Sequence, residues 1–211
     1  MWPCLMAVLV CAAPAKPGAD VPKTMTRVVV RNLSADLPRD SFAAQPKTYY
    51  RAGMGYGRVE EALDRERKIH GLIVVDEPRV WMVNLATKSG RTIVDPGPTF
   101  VFHANILPRQ KGEAAIAELE FGQEPEFMKK HDAVSSKVNV AKRAYTAQRA
   151  TVDGYELTLL SDPTSGVPRQ LKVERDDKVL FELEYLEYRR DLPFEPARFA
   201  PPPGIALTEA R

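Results

Sequence analysis

Apolar and polar residues alternate over several short stretches, and this alternation predicts a chain built mainly of β-strands. Residues 155–159 and 169–175 show it most clearly, with the period of an antiparallel strand that buries one face. Short apolar runs bounded by Gly, Pro or Asp indicate further strands. The predicted strands span residues 24–31, 47–52, 56–63, 69–75, 80–85, 91–94, 99–103, 137–145, 155–160, 170–175 and 178–188.

Gly- and Pro-rich segments separate these stretches and supply turn chemistry, since Pro presets φ and Gly accepts a positive φ. Residues 32–46 contain two prolines and are predicted to form a loop that wraps an edge. Many short strands divided by such turns are typical of a sandwich, a barrel or one large curved sheet. The predicted reversals are Gly53-Met54-Gly55, Asp95-Pro96-Gly97-Pro98 and Asp153-Gly154.

The strand pattern breaks once, near the middle of the chain. Residues 111–121 place apolar side chains at helical spacing, and Gly122 is well placed just after the end of a helix. A second short turn is predicted to open at Pro125. The apolar residues on the inner side of these two segments are Ala115, Ile116, Leu119, Phe127 and Met128.

Two motifs in the last third of the chain point to a known family. They are the turn Asp162-Pro163-Thr164-Ser165-Gly166-Val167-Pro168 and the proline-rich clasp Phe199-Ala200-Pro201-Pro202-Pro203-Gly204. This arrangement resembles the C-terminal half of the lipoprotein-localisation-factor (LolA/LolB-like) superfamily, outer-membrane lipoprotein-sorting-like proteins. There a D-P-x-[ST]-G-x-P turn joins two sheet strands and an F-x-P-P-x-G clasp closes the chain.

The resemblance is dense over residues 155–204 and thinner over residues 24–102. It implies one strongly curved antiparallel sheet, a half-barrel of about ten strands, over residues 24–211, with a helical insertion covering the concave face. Family carriers usually begin with a helix that helps to form the lid. Residues 16–23 are too short and proline-rich for that helix and are predicted to be a flexible lead-in.

The N-terminus has the features of an export signal. Residues 5–13 are apolar and too few to cross a bilayer as a helix, and Ala13-Pro14-Ala15 matches a signal-peptidase site. We therefore predict a signal peptide at residues 1–15 and a periplasmic location. No Lys or Arg precedes the apolar run, which leaves a disordered apolar leader on a cytosolic protein as the alternative.

Cysteine occurs only at Cys4 and Cys11. Cleavage after Ala15 would remove both, so the mature chain would have no disulfide and no cysteine metal site. Val8-Leu9-Val10-Cys11 also resembles a lipobox, although Val10 stands where Gly, Ala or Ser is expected. Anchoring to a membrane through a lipid on Cys11 is the second possibility.

The charges and the polar motifs exclude several classes of function. The chain has 30 Lys and Arg against 28 Asp and Glu, interspersed along its length, so no basic stripe for nucleic acid is predicted. His70, His103 and His131 lie on or beside three different elements, and no zinc, nucleotide or nucleophile motif is present. We predict no catalytic residues, no metal and no cofactor.

Acidic residues offer one catalytic alternative. Glu182 and Glu184 share a strand face, where a carboxylate pair could act as acid and base. The regular alternation favours a solvated outer face instead.

Several apolar residues have no obvious place in a simple alternating sheet. Trp81, Met82 and Val83 are consecutive, so their strand presents apolar groups on both faces. One explanation is ordinary packing, under the helical insertion on one face and against a second layer on the other. The functional hypothesis is a lipid-sized cavity beneath the insertion, which flexible methionines suit. The predicted ligand-binding residues are Met54, Tyr56, Trp81, Val83, Phe100, Phe102, Ile116, Leu119, Phe127 and Met128.

These observations predict an exported envelope protein that binds a hydrophobic ligand, either lipid or the acyl chains of a lipoprotein, as a carrier or sorting factor. The alternative is an envelope interaction or sensor module that presents an edge or loop of the same sheet to a partner protein. The missing N-terminal helix and the loop at residues 32–46 favour that alternative. An enzyme would have to use His70 or His103 with a carboxylate brought close by folding.

Overall fold

The computed structural model describes residues 11–12, 21–94, 100–107 and 114–209, and only the backbone of residues 11, 12, 100 and 101. Apart from the backbone of Cys11 and Ala12, the predicted signal peptide at residues 1–15 lies outside these ranges. So do residues 16–20 of the lead-in and the turn at residues 95–98.

The described chain is mainly β, with short helical segments. The strands are β1 (Cys11–Ala12), β2 (Thr24–Asn32), β3 (Lys47–Ala52), β4 (Tyr56–Glu60), β5 (Gly71–Asp76), β6 (Arg79–Asn84), β7 (Ser89–Val94), β8 (Phe100–Val101), β9 (Val134–Val140), β10 (Arg143–Val152), β11 (Tyr155–Ser161), β12 (Pro168–Arg175), β13 (Lys178–Pro193) and β14 (Ala206–Glu209). The helices are α1 (Glu124–Lys130) and the 3-10 turns Phe42–Ala44, Ile116–Glu118 and Pro196–Phe199.

Within the described residues, β1 pairs with β8 and the other twelve strands form one open sheet. Their order is β14-β7-β6-β5-β4-β3-β2-β13-β12-β11-β10-β9. The sheet is largely antiparallel, with β14 parallel to β7. The predicted fold class, mainly β with one open antiparallel sheet, is confirmed, but the predicted count of about ten strands is wrong. One extra strand is β14, whose four residues are all exposed and carry no burial pattern.

By its contacts the chain divides into two compact units. The helix unit comprises Val29–Gln45 and Ala104–Tyr188, and the clasp unit comprises Pro46–His103 with the described residues of Val8–Val28 and Arg189–Arg211. Strands β2 and β13 each run from one unit into the other, and each unit is described below by itself.

The sheet of the helix unit has one apolar face, as the alternation predicts. On β11, Leu157 and Leu159 are buried, and they pair across to Val173 and Leu171 of β12. Leu171 in turn pairs with Leu183 of β13. Cross-strand neighbours of this kind stabilise one another directly, so a continuous apolar face spans the three strands.

Residues 137–145, predicted as one strand, are divided by a two-residue turn, so that prediction is wrong. Strand β9 ends at Val140 and β10 begins at Arg143, while Ala141 and Lys142 adopt left-handed φ values of 48° and 67°. A tight hairpin turn of this type usually carries Asn-Gly or Asp-Gly. The sequence Ala-Lys does not favour such a turn. The turn forms at this position because β9 and β10 pair continuously on either side of it.

The helix predicted over residues 111–121 is also wrong in extent. Residues 111–113 lie outside the described ranges, and the described part has only the 3-10 turn Ile116–Glu118. The backbone then pairs with residues 104–106: the Phe121 N–H donates to the Ala104 carbonyl, and the Ile106 N–H donates to the Leu119 carbonyl. Because these groups pair outside a helix, the helix cannot continue. The second predicted turn is present as α1, with Pro125 in its first turn.

In the clasp unit the predicted clasp is part of the core. Phe199 is 1% exposed, and its ring lies 5.5 Å from the rings of both Phe194 and Tyr56. Arg198, next to it, donates from Nη1 to the Tyr50 hydroxyl at 3.2 Å. The clasp therefore closes the unit by aromatic packing, supported by polar contacts of the adjacent Arg198 with Tyr50 and Arg58.

Candidate functional site

The predicted ligand-binding residues are divided between the two units. Those of the clasp unit have different environments: Tyr56 packs half-buried against a core cluster that contains Trp81 and Val83, whereas Met54 is 61% exposed. Trp81 and Val83 lie on one face of β6, paired with Val74 and Leu72 of β5, and they belong to the same cluster as Phe199. Phe102 is buried, and the side chain of Phe100 lies outside the described part of the chain.

The predicted residues of the helix unit lie together on one segment. We call residues 114–131 the cover segment, since its helix α1 packs against β10 and β11. Four of its side chains, Ile116, Leu119, Phe127 and Met128, are at most 4% exposed. The apolar side chains of the cover segment are therefore shielded from solvent.

A buried carboxylate holds the cover segment to β13. The Glu124 side chain is completely buried at the start of α1. Its Oε1 accepts a hydrogen bond of 2.9 Å from the Tyr185 hydroxyl, and its Oε2 accepts bonds from the Tyr188 hydroxyl at 2.9 Å and the Gly122 N–H at 3.0 Å. These three donors partly replace the water that the carboxylate loses.

The environment of Glu124 also changes its acidity. Burial raises the pKa of this carboxyl above its ordinary value of 4.5, because the charged form loses solvation. Hydrogen bonds from its own backbone N–H, Tyr188, Tyr185 and Gly122 act in the opposite direction without reversing the shift.

The sequence contains no signal for this cluster. In a regular strand Tyr185 and Tyr188, three positions apart, would point to opposite faces. In β13 both are buried, the exposed Leu186 lies between them, and their rings are 5.7 Å apart at 74°. The alternation changes phase between the two tyrosines, and only the structure shows that they meet the same carboxylate.

The cover segment has other attachments within the helix unit. The Ile116 N–H donates to Asp153 Oδ2 at 2.8 Å, and Lys130 forms an ion pair with Glu118 inside the segment. At its C-terminal end the His131 ring lies 4.4 Å from the Phe127 ring. A few polar contacts at identifiable positions, together with the buried apolar side chains, hold the segment in place.

A second feature of the helix unit is a half-open cleft of about 720 Å³, within the size range of ligand pockets. It combines exposed apolar side chains with charges of both signs. Hydrogen bonds from Ser165 and from the Thr164 N–H hold the pKa of Asp162, at the edge of the cleft, below its ordinary value, and the positive charge of Arg169 lowers this pKa to a smaller extent. The lining residues are Leu33, Val140, Arg143, Ala144, Tyr145, Asp162, Pro163, Arg169, Gln170, Glu184, Tyr185 and Leu186.

The structure gives His70 and His131 different neighbours. His70 Nε2 lies 3.4 Å from Glu60 Oε1 in the clasp unit, and the His131 ring contacts the Phe127 ring at a tilt of 42° in the helix unit. Among the residues that the structure describes, no group of three or more His, Cys, Asp or Glu is arranged to hold a metal ion. Glu182 and Glu184 are half-buried on β13 and are engaged by Gln170 and Arg31 respectively.

No protein-family model matches the chain, and no curated protein matches it in sequence. Among solved structures, an uncharacterised conserved protein from Thermus thermophilus is similar at 14% identity, with a TM-score of 0.48, over 89% of this chain and 91% of that one. MucB in the MucA/MucB complex of Pseudomonas aeruginosa is similar at 13% identity and a TM-score of 0.42, over 84% of this chain and 56% of that one. A LolA superfamily protein from Nitrosomonas europaea is similar at 10% identity and a TM-score of 0.32, over 85% of this chain and 90% of that one.

At these identities and TM-scores, nothing about the activity of the present protein follows from its structural neighbours. None of the helices in the described ranges is both long and apolar enough to span a bilayer.

Proposed function

We propose that this is an exported envelope protein that binds a hydrophobic ligand, either lipid or the acyl chains of a lipoprotein, beneath the cover segment of the helix unit. One observation carries the proposal. The four predicted residues of the cover segment, Ile116, Leu119, Phe127 and Met128, are all buried, and helix α1, which carries the last two, packs against β10 and β11.

The energetics fit a ligand that takes the place of the cover segment. Each buried methylene contributes about 0.8 kcal/mol, so ten methylenes of an acyl chain contribute roughly 8 kcal/mol. Two contributions reduce this favourable free energy. Lifting the segment exposes its apolar side chains unless the ligand packs against them, and immobilising the ligand lowers its entropy. The net affinity is therefore modest, which suits a carrier that must release its cargo.

The short helix of the cover segment is consistent with a segment that can separate from the sheet and return. Helix α1 has only seven residues, too few to be stable without tertiary contacts. Opening the segment therefore requires breaking its contacts through Glu124 and Asp153 and exposing its buried apolar side chains, which the ligand would then cover.

The remaining parts of the proposal come from the sequence. The apolar N-terminal run supports export to the periplasm as a soluble protein, with a lipid anchor at Cys11 as the lesser alternative. The clasp and turn motifs support the resemblance to lipoprotein-sorting proteins. Binding of this kind requires no catalytic group and no cofactor.

Photo-cross-linking tests the site directly. The full chain is incubated with a diazirine analogue of palmitate, illuminated and analysed by peptide mass spectrometry, and protein purified from its native periplasm is examined for retained lipid. We expect labels on residues 114–131 and on β10 or β11, the strands against which α1 packs. Met128→Ala should change the amount of bound analogue, whereas Met54→Ala, at an exposed position of the clasp unit, should not.

Two results would contradict the proposal: absence of any label or retained lipid, or labels confined to exposed apolar residues such as Val140 and Leu186.

A second candidate function, a module that binds a partner protein, is favoured by the cleft. Leu33, from the loop that follows β2, lines it together with Arg143 and Tyr145, so a partner could be bound through apolar and charged groups together. A photoreactive amino acid at Leu33 should cross-link one specific envelope protein in cells, and the same group at Leu207 should not. Equal labelling from both positions would count against this function.

A further inference from the structure

Strand β9 is the last strand of the sheet, at the end opposite β14. In the part of the chain that the structure describes, it pairs with β10 over residues Val134 to Val140, without a shift in register. It contains no proline and no bulge, which are two common means of blocking pairing at an edge. Such an edge can accept another strand.

The hairpin register shows which backbone groups face outward. Val140 and Arg143 flank the two-residue turn and pair with each other, so in a hairpin of this kind they form a hydrogen-bonded pair. Pairing then alternates along β9. Ser135, Lys137 and Asn139 therefore direct their N–H and C=O groups away from β10.

The side chains of β9 offer two different faces to a new strand. Val134, Val138 and Val140 share one face, and Val134 and Val140 are 73% and 43% exposed. Lys137 projects from the other face and is exposed. A strand added here would place apolar residues beside the valines and its alternate residues beside Lys137.

The positive charge of the hairpin formed by β9 and β10 favours an acidic partner. Residues 133–152 contain Lys137, Lys142, Arg143 and Arg149 and no Asp or Glu, a net charge of +4 from four cations and no acids, in a chain whose total is +2. The nearest acids in sequence, Asp132 and Asp153, lie just outside the two ends of the hairpin. An acidic segment would therefore be attracted, and a basic one repelled.

From these observations we infer that β9 accepts an extended, acidic segment of a partner protein with alternating apolar residues, which adds to the sheet as a further strand. The inference rests on the second of the two proposed functions, binding of a partner protein, and is independent of lipid binding. A membrane surface would use the same cations, but it would not use the outward-facing backbone groups of Ser135, Lys137 and Asn139.

A synthetic peptide that alternates valine and glutamate provides the probe, with a peptide that alternates valine and lysine as its control. Binding of fluorescein-labelled peptide to the full chain is measured by anisotropy at low salt. We expect the acidic peptide to bind at least about tenfold more tightly than the basic one. Hydrogen exchange should show protection of the amides of residues 135, 137 and 139 in the complex.

A pair of substitutions separates the backbone from the charge. Lys137→Pro removes an outward donor without removing a hydrogen bond to β10, which an edge strand tolerates, and should weaken binding by at least about tenfold. Lys137→Ala keeps the backbone donor, removes the charged side chain and should weaken binding by about twofold to fivefold. Thermal unfolding of both variants shows whether they fold, and Asn139→Pro, which removes another outward-facing N–H of β9, replaces Lys137→Pro if that variant does not fold.

The inference is overturned if the acidic peptide does not bind, if both peptides bind equally, or if Lys137→Pro binds like the unmodified protein. It is also overturned if vesicles of phosphatidylglycerol bind the hairpin and the acidic peptide does not. Labelling of the cover segment by the palmitate analogue should be the same in Lys137→Pro, so failure at the edge strand is distinct from failure of the lipid-binding proposal.

Discussion

The Tyr188 hydroxyl donates a 2.9 Å hydrogen bond to Oε2 of Glu124, a residue 64 positions earlier in the chain. This bond joins the start of α1 to strand β13, and the Tyr185 hydroxyl, on the same strand, makes the equivalent bond to Oε1. A carboxyl group at the attachment of the cover segment makes that attachment dependent on its protonation state.

The first prediction concerns pH. Because burial raises the pKa of Glu124 in the folded state, the folded protein binds this proton more tightly than the unfolded one. The resulting stabilisation is fully present below the unfolded value of about 4.5 and is lost as pH rises through the folded pKa. The free energy of unfolding should therefore fall over this window relative to that of Glu124→Gln, as measured by urea titration at several pH values. Parallel curves for the two proteins would show that Glu124 does not titrate differently on folding.

The second prediction concerns the two tyrosine donors. Tyr188→Phe removes one bond to a completely buried carboxylate and should lower the free energy of unfolding by about 1.5–3 kcal/mol near neutral pH. The loss should be smaller at low pH, where the protonated carboxyl needs less compensation. Tyr145→Phe, at a half-buried position of the cleft, is the control and should change stability by less than about 0.5 kcal/mol. Equal losses in the two variants would remove the special role of Tyr188.

The third prediction concerns close packing in the clasp unit. A Cβ added at Gly57 would lie 2.4 Å from the buried ring of Phe102, whereas one at Gly55 would meet Glu77 at an ordinary 3.4 Å. Gly57→Ala should therefore destabilise the protein by about 1–3 kcal/mol, and Gly55→Ala should have little effect. Replacing Phe102 with leucine in the Gly57→Ala background should recover part of the loss. A double-mutant cycle without coupling between the two sites would contradict this packing.

The fourth prediction concerns the clasp. Phe199→Ala removes a buried ring that contacts Phe194 and Tyr56, and it should cost about 3–5 kcal/mol of stability. The emission of Trp81, in the same cluster, should shift to longer wavelength when it is measured in a Trp2→Phe background. Leu207→Ala, on the exposed strand β14, is the matched control. A small loss from Phe199→Ala would mean that the clasp is peripheral to the core.

Sequence reasoning located most strands because local alternation reports local burial. Lys47–Ala52 is predicted with its observed bounds, and the turn at Asp153-Gly154 is present with positive φ at both residues. The turn at Ala141-Lys142 was missed because neither residue favours a left-handed conformation, which is maintained there by strand pairing. The helix over residues 111–121 was predicted too long because its backbone pairs with residues 104–106, a partner that periodicity cannot reveal.

The candidate site divides in the same way. Ile116 and Leu119 are predicted from helical spacing and Phe127 and Met128 from the turn that Pro125 opens, and all four lie on the cover segment. Glu124 was not predicted, because a single glutamate in an acidic stretch has no distinguishing pattern. Its burial depends on Tyr185 and Tyr188, whose positions follow from a change of phase within β13.

By itself, the sequence determined the β-rich class, the turns at residues 53–55 and 153–154, and the apolar side of the cover segment. Each depends on the conformational preferences of neighbouring residues and on solvent exclusion over a few positions. Only the tertiary structure decided which strand lies at the edge of the sheet, which carboxyl group loses its water, and which aromatic rings meet at the clasp. Those outcomes depend on contacts between residues far apart in the chain, which arise only when the sheet assembles.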